Sequence, residues 1–271
     1  MTTYPPVPSL VLNTIALCAG KEILRIYATD FDVVTKGDAS PVTLADQAAE
    51  AIILQKLALN APGIAVVAEE EMAAGRAPEA SEVFFLVDPL DGTKEFVSRN
   101  GEFTVNIALI DKGVPVQGVV YAPALGEIYW GEIGKGAFRA TVRDGAIGLS
   151  EPIAVARATD GGVVAIGSRS HSGPETEAFL EAFTVSTFVA AGSSLKFCRV
   201  AAGAADLYPR MGRTMEWDTA AGDAILRAAG GRVETLDGQP LRYGKRDQGD
   251  DADFANPHFV AYGDPALGRT D

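Results

Sequence analysis

The chain has 271 residues, enough for one large domain or two smaller ones around a well-buried core. Apolar residues make up 47% of it and charged residues 22%, ordinary for a globular protein, and no low-complexity tract or solenoid repeat interrupts it. Its net charge of −13 comes without a basic stripe, which excludes the usual kind of duplex nucleic-acid binder; such acidity serves solubility or marks carboxylates neutralised by bound cations.

Residues 9–27, opening "SLVLNTIALCAG", read as an amphipathic helix. No Lys or Arg precedes this apolar run, it is short, and Leu17 before Cys18 is bulky for a cleavage site, so a helix is expected rather than a leader. No run reaches membrane-spanning length. Cys18 and Cys198 lie in apolar helical patterns without disulfide spacing. A soluble cytoplasmic protein with buried thiols is expected, free or peripheral at the inner membrane, with oligomerisation left open.

A polar loop, "TKGDASPVTLADQ", is closed by Pro41 and leads to a second predicted helix from Thr43 to Leu59. Thr43 is placed as its N-cap and Asp46 at N3, a short-acid capping box. "GIAVVAEEE" predicts a short buried strand ending in Glu69, Glu70 and Glu71, and "VFFLV" a second ending in Asp88 and Asp91. "FTVNIALI", "PVQGVVYAP", "GEIYWGEI" and "GAFRAT" follow with short turns between them, predicting an antiparallel meander. From about residue 150 strands and helices alternate: "GGVVAIGSRS", "PETEAFLEAF", "STFVAA", "SSLKFCRVAAG", "ADLYPR", "DTAAGDAILRAAGG" with a glycine stop, and "HFVAYG". The fold class is therefore α/β, with an α+β first half over residues 1–150 and an open α/β sheet over residues 151–271. The segment after Arg242, "YGKRDQGDDADFANP", is predicted as a surface loop.

The acids gather at element ends. Glu69 to Glu71 close one strand, Asp88 and Asp91 the next, Asp218 opens a helix after Trp217, and Asp46 lies in a first helical turn. Taken singly, Asp218 is an N-cap, the glutamates are a solvated turn, Asp46 complements the macrodipole, and Asp88 to Gly92 form a tight turn. Taken together they converge where strand ends meet ligands, and converging carboxylates repel unless cations lie among them. Hard divalent cations such as Mg²⁺ take such oxygen ligands together with substrate phosphate. Gly92 and Thr93 could present free N–H groups to an anion, and the Thr93 hydroxyl could hold a water for in-line attack at phosphorus. Gly192, Ser193 and Ser194 lead into a helix carrying Lys196, and Arg210 ends the next strand; these cations suit a second phosphate, while plain capping would also explain the serines. No Walker A, dinucleotide, nucleophile-elbow or zinc pattern occurs.

The succession "EE", "DPLDGT" and "WDTAAG" resembles the signature of the Mg²⁺-dependent, lithium-sensitive inositol-monophosphatase-like phosphatases, and "SPVTLADQ" extends the match to residue 40. Within that superfamily, "DPLDGTKEFVSRNGEFTVNIALI", "GSRSH" and "GSSLKFC…LYPR" look like the 3′(2′),5′-bisphosphate nucleotidases of the CysQ type. The resemblance implies a layered α-β-α-β-α sandwich. It implies two or three Mg²⁺ ions on Glu69, Asp88, the Leu90 carbonyl, Asp91 and Asp218. Thr93 and Asp46, supported by Glu70, would position water, and the amides of Gly92 and Thr93 would meet the scissile phosphate. Ser193, Lys196 and Arg210 would meet a second phosphate, and Ser168 and His171 would lie near the nucleoside. Ala68 stands where Ser or Gly is common in the family and Glu71 adds a third glutamate; Glu69, the first of the pair, is taken as the ligand. The implied reaction is hydrolysis of adenosine 3′,5′-bisphosphate to AMP and phosphate, which clears a by-product of sulfate assimilation. Two alternatives stand beside it: inositol monophosphate or fructose 1,6-bisphosphate as substrate, and a weakly catalytic, metal-bound regulator of a protein partner.

Overall fold

The computed structural model describes residues 7–29, 41–157, 161–168 and 173–268. Helix α1 (Ser9–Tyr27) forms as expected, and its apolar stripe of Leu12, Ile15, Ala16, Ala19 and Ile23 is buried. Helix α2 spans Pro41–Asn60. It starts two residues before Thr43, with Pro41 at its first position, which suits a residue with no N–H to satisfy. The predicted capping box is therefore not formed, and Asp46 lies in the second turn.

Strand β1 (Ala65–Ala68) runs into a short helix, α3 (Glu69–Ala73), so the three glutamates form a helical first turn rather than a loop. Strand β2 (Val83–Asp91) continues through both aspartates into α4 (Thr93–Val97). The meander follows as β3 (Thr104–Asp111), β4 (Val114–Ala122), β5 (Glu127–Glu132) and β6 (Gly136–Arg143). Two short strands, β7 (Ala146–Ile147) and β8 (Glu151–Ile153), both pair with β6. The eight strands order as β1-β2-β3-β4-β5-β6-β7 with β8 beside β6, and all pairs but β1–β2 are antiparallel.

The remaining elements are β9 (Val163–Gly167), α5 (Pro174–Leu180), β10 (Val185–Ala190), α6 (Leu195–Ala201) and β11 (Leu207–Arg210). They are followed by α7 (Glu216–Ala228), β12 (Arg232–Thr235) and β13 (Phe259–Tyr262). The second sheet has the order β10-β9-β11-β13-β12, with its first three strands parallel. Edge strand β12 escapes the sequence reading because "RVET" carries one buried apolar residue, Val233.

These parts stack as α1 and α2, the first sheet, α6 and α7, the second sheet, then α5. One apolar core lies between α1, α2 and the first sheet, around Leu12, Ile53, Phe85 and Ile107. A larger one lies between the sheets, joining Phe84, Leu86 and Ala108 to Phe197, Ile225 and Phe259. A small third cluster joins Phe179 and Phe183 of the α5 region to Leu207 and Val260. This is the expected five-layer sandwich. The segment after Arg242 departs from expectation: Tyr243, Phe254, Ala255 and Asn256 are buried, and it closes one side of the central core rather than lying on the surface.

Candidate active site

The site begins with a break in a ladder. Asp88 lies opposite Asn106 and Asp91 opposite Thr104, so three steps on β2 match two on β3. Side chains alternate along a strand, and residues three apart would normally face opposite ways. The extra residue is a bulge, and it turns both aspartates to the face that carries Thr104, Asn106, Ala108 and Ile110. Leu90 takes the other face and fills the first core. Its N–H donates to Asp88 Oδ1 at 3.0 Å, fixing that carboxylate.

Gly92 follows with φ of 98° and caps α4, so Thr93 opens that helix. A Cβ on Gly92 would lie 2.2 Å from Ser193 Oγ; conformation and space both call for glycine here. Ser193 hydroxyl donates to the carbonyls of Asp91 (2.8 Å) and Glu102 (2.7 Å), stitching the turn before α6 onto this loop. Its proton is thus committed to main chain.

The other acids arrive from three helices. Asp46 comes from α2, Glu69 from the start of α3, and Asp218 from N3 of α7, where its Oδ2 accepts the Met215 N–H at 2.8 Å. Asp218 is therefore part of the capping arrangement from inside the helix, not the N-cap itself. Burial pushes the Asp46 carboxyl up to about 9, and Glu69, Glu70 and Glu50 add to it by repulsion. Glu69 is pushed to about 7 by burial; a hydrogen bond with Asp88 opposes this, while Asp91, Glu70 and Glu50 add repulsion. Asp218 rises to about 8 through burial and the charge of Asp91, against the Met215 amide. Asp88, 1% exposed, is raised well above the carboxylate range by burial, then by Glu69, Asp91, Asp218 and Asp46. Asp91 is raised by burial, with Lys196 pulling it back.

These mutual effects show that Asp46, Glu69, Asp88, Asp91 and Asp218 share one buried neighbourhood. A set of hard oxygen donors that raise one another's affinity for protons suits a divalent cation, which favours the ionised form. Among the described residues no three acidic, His or Cys side chains are placed so as to hold a metal ion as they stand, so the fit rests on donor chemistry and shared burial. Glu71 is not part of the group: it turns outward to Arg76 at 2.7 Å. Glu70 lines a neighbouring cavity with Thr43, Gln47 and Glu50.

Glu50 is a residue that the sequence reading missed. It is 4% exposed, and its Oε2 accepts the Glu70 N–H at 2.9 Å, so it caps α3 and fixes where Glu69 begins. Its position four residues after Asp46, on the same helix face, was the available signal.

Beside the acids opens a cleft of about 210 Å³, lined by Asp91, Gly92, Thr93, Ser168, Ser193, Lys196, Tyr208, Arg210 and Asp218 among others. Lys196 is 6% exposed and its Nζ donates to the Ser193 carbonyl at 2.6 Å. Burial draws its pKa down to about 8; Asp91 opposes this and Arg210 adds to it. Arg210 donates through Nη2 to the Arg213 carbonyl at 3.2 Å, while its Nε is buried without a partner. His171 lies outside the described residues.

The described residues contain no helix long and apolar enough to cross a membrane. The inositol monophosphatase family model matches residues 9–253. A 3′(2′),5′-bisphosphate nucleotidase CysQ of Escherichia coli O157:H7 is 45% identical over 243 residues, covering 89% of this chain and 94% of that one. Its counterpart in Salmonella typhimurium is also 45% identical, with the same coverage. The crystal structure of CysQ from Bacteroides thetaiotaomicron superposes with a TM-score of 0.79 at 40% identity, over 94% of this chain and 96% of that one. An inositol monophosphatase from Zymomonas mobilis shares the fold at a TM-score of 0.76 and 21% identity, covering 96% and 93%.

Proposed function

We propose that this chain, which belongs to the inositol monophosphatase family, is a 3′(2′),5′-bisphosphate nucleotidase that removes the 3′-phosphate of adenosine 3′,5′-bisphosphate. The observation that carries the choice of substrate is the polarity of the cleft. Asp91 and Asp218 line it together with Lys196 and Arg210, the last with a buried Nε that no protein acceptor meets. A monophosphate would leave Arg210 Nε unmet and Lys196 with only the Asp91 charge nearby, whereas a bisphosphate nucleotide brings a second anion.

Glu69, Asp88, the Leu90 carbonyl, Asp91 and Asp218 are the assigned ligands that would hold two or three Mg²⁺ ions. Bound there, the cations supply Lewis-acid activation of water and neutralise charge on the leaving oxygen. The chain's own groups do the rest. Thr93 hydroxyl orients the attacking water, and Asp46 takes the proton with Glu70 in support. The amides of Gly92 and Thr93 hold the scissile phosphate. Lys196 and Arg210 hold the second phosphate, with Ser193 acting through the carbonyl that anchors Lys196. Ser168, which lines the cleft, is assigned to the nucleoside, a role that the resemblance also gives to His171. In this reading residues 1–150 supply most of the cation ligands and the scissile-phosphate contacts, and residues 151–271 the contacts to the second phosphate, with Asp218 crossing over.

Phosphate release from adenosine 3′,5′-bisphosphate, inositol 1-phosphate and fructose 1,6-bisphosphate, measured with and without Mg²⁺, tests this. The nucleotide should be preferred and its turnover should vanish without the cation. Preference for either sugar phosphate overturns the substrate assignment, and silence on all three overturns the enzyme.

A further inference from the structure

We infer that Asn106 and Ser194 form a buried positioning bridge that sets the spacing between Asp91 and Asp218. The inference deepens the reading of the acids as a cation site and rests on it. Asn106, on β3, is 1% exposed and Ser194, before α6, is 2% exposed. The Asn106 side-chain amide donates to Ser194 Oγ at 3.1 Å, and its presence beside Asp91 lowers the proton affinity of that carboxylate. The Ser194 hydroxyl donates to the Asp218 carbonyl at 2.6 Å, and the neighbouring Ser193 hydroxyl reaches the Asp91 carbonyl at 2.8 Å. These contacts tie Asp91 and Asn106 of the first sheet to the first turn of α7.

The orientation of Asn106 shows what the bridge is for. With its N–H₂ group turned to Ser194, Oδ1 is left buried without a protein partner. An unmet buried acceptor is costly, and a network built for stability alone would avoid it. Turning the amide over would aim oxygen at the Asp91 carboxylate instead. The side chain is held for where its donors point. Thr104, two residues back on the same face, supplies a contrast: its Oγ1 is buried and also has no partner, yet it donates to neither acid.

The test measures Mg²⁺ binding to the substrate-free protein by titration calorimetry, alongside the melting temperature of the metal-free form. Ser194→Ala and Asn106→Ala should weaken Mg²⁺ binding about 10–100-fold, the range for residues that orient ligands from behind. Activity should return at high Mg²⁺, with kcat within about threefold of the parent. Thr104→Val should leave Mg²⁺ affinity unchanged, and Ser194→Thr, which keeps the hydroxyl, should restore most of it. If Asn106→Ala does not fold, Ser194→Ala, which removes one oxygen, decides. Melting temperatures lowered with unchanged Mg²⁺ affinity overturn the bridge alone. A parent protein that binds no divalent cation overturns the cation site, and the bridge with it.

Discussion

At the scale of single residues, Asp218 has an observed capping contact and a proposed catalytic role that a substitution can separate. Its Oδ2 accepts the Met215 N–H, and an asparagine oxygen can do the same. Asp218→Asn should therefore keep the fold and melting temperature while losing several orders of magnitude in turnover; parent-like turnover would remove Asp218 from the site. The raised acids also fix a pH dependence. Folded values near 7, 8 and 9 for Glu69, Asp218 and Asp46 lie above those of unfolded carboxylates, about 4. Such groups favour the metal-free fold fully below about pH 4, and that contribution is lost as pH rises through the folded values. A cation favours the ionised forms, so its binding displaces protons. The melting temperature without metal should fall from pH 5 to 9, while the increment given by saturating Mg²⁺ grows over the same interval. A constant increment would separate cation binding from these acids. Asp88, Asp91 and Asp218 were legible in the sequence because acids beside apolar runs demand an explanation. Glu50 was not, since a helical glutamate looks the same whether it faces water or caps a neighbouring helix.

At the scale of elements, the first turn of α7 is held by the segment that follows Arg242. Glu216 is fully buried; it takes the amide of Lys245 at 2.9 Å and its ammonium at 2.7 Å. Lys245 also donates to Asn256 Oδ1 at 3.2 Å, while Asn256 Nδ2 donates to the Met215 carbonyl at 2.8 Å. Removing one partner of a buried pair strands the other charge, so Lys245→Met should cost about 3 kcal/mol in urea unfolding. Because Glu216 and Asp218 share a turn, Mg²⁺ affinity should fall as well; stability loss with unchanged affinity would show that the clamp does not reach the site. The sequence reading took this segment for surface because its aspartates and glycines dominate. Tyr243 and Phe254, eleven positions apart with no strand or helix period between them, give no pattern from which burial can be read. The bulge in β2 was hidden for a related reason. Composition shows that Asp88 and Asp91 are near each other, but only the pairing with Asn106 and Thr104 shows that they share a face.

At the scale of the whole molecule, the rhythm of the chain marks two regions, and we keep the division near residue 150 as a proposal about topology and origin of the site residues. The packing argues that neither region is self-sufficient. Helix α7, from the second region, lies over β2, β3, β4, β5 and β6 of the first sheet. Gly118 and Gly131 let it approach: a Cβ on Gly118 would lie 2.5 Å from the Ala221 carbonyl oxygen, and one on Gly131 2.9 Å from the Ala228 Cβ. The central core accordingly draws Phe84, Leu86 and Tyr129 from one region and Phe197, Trp217 and Phe259 from the other. Periodicity announced both halves of this core but not that they are one, because a strand's inward face looks the same whichever helix covers it. Residues 1–150 produced alone would expose that inner face to water, at roughly 25 cal/mol for each Å² of apolar surface. Scanning calorimetry of fragments 1–150 and 151–271 should show no cooperative transition for either, while the full chain melts in one. A cooperative transition in the 1–150 fragment would mean that α1, α2 and their core suffice for the first sheet, and that the site is assembled by docking two folded bodies.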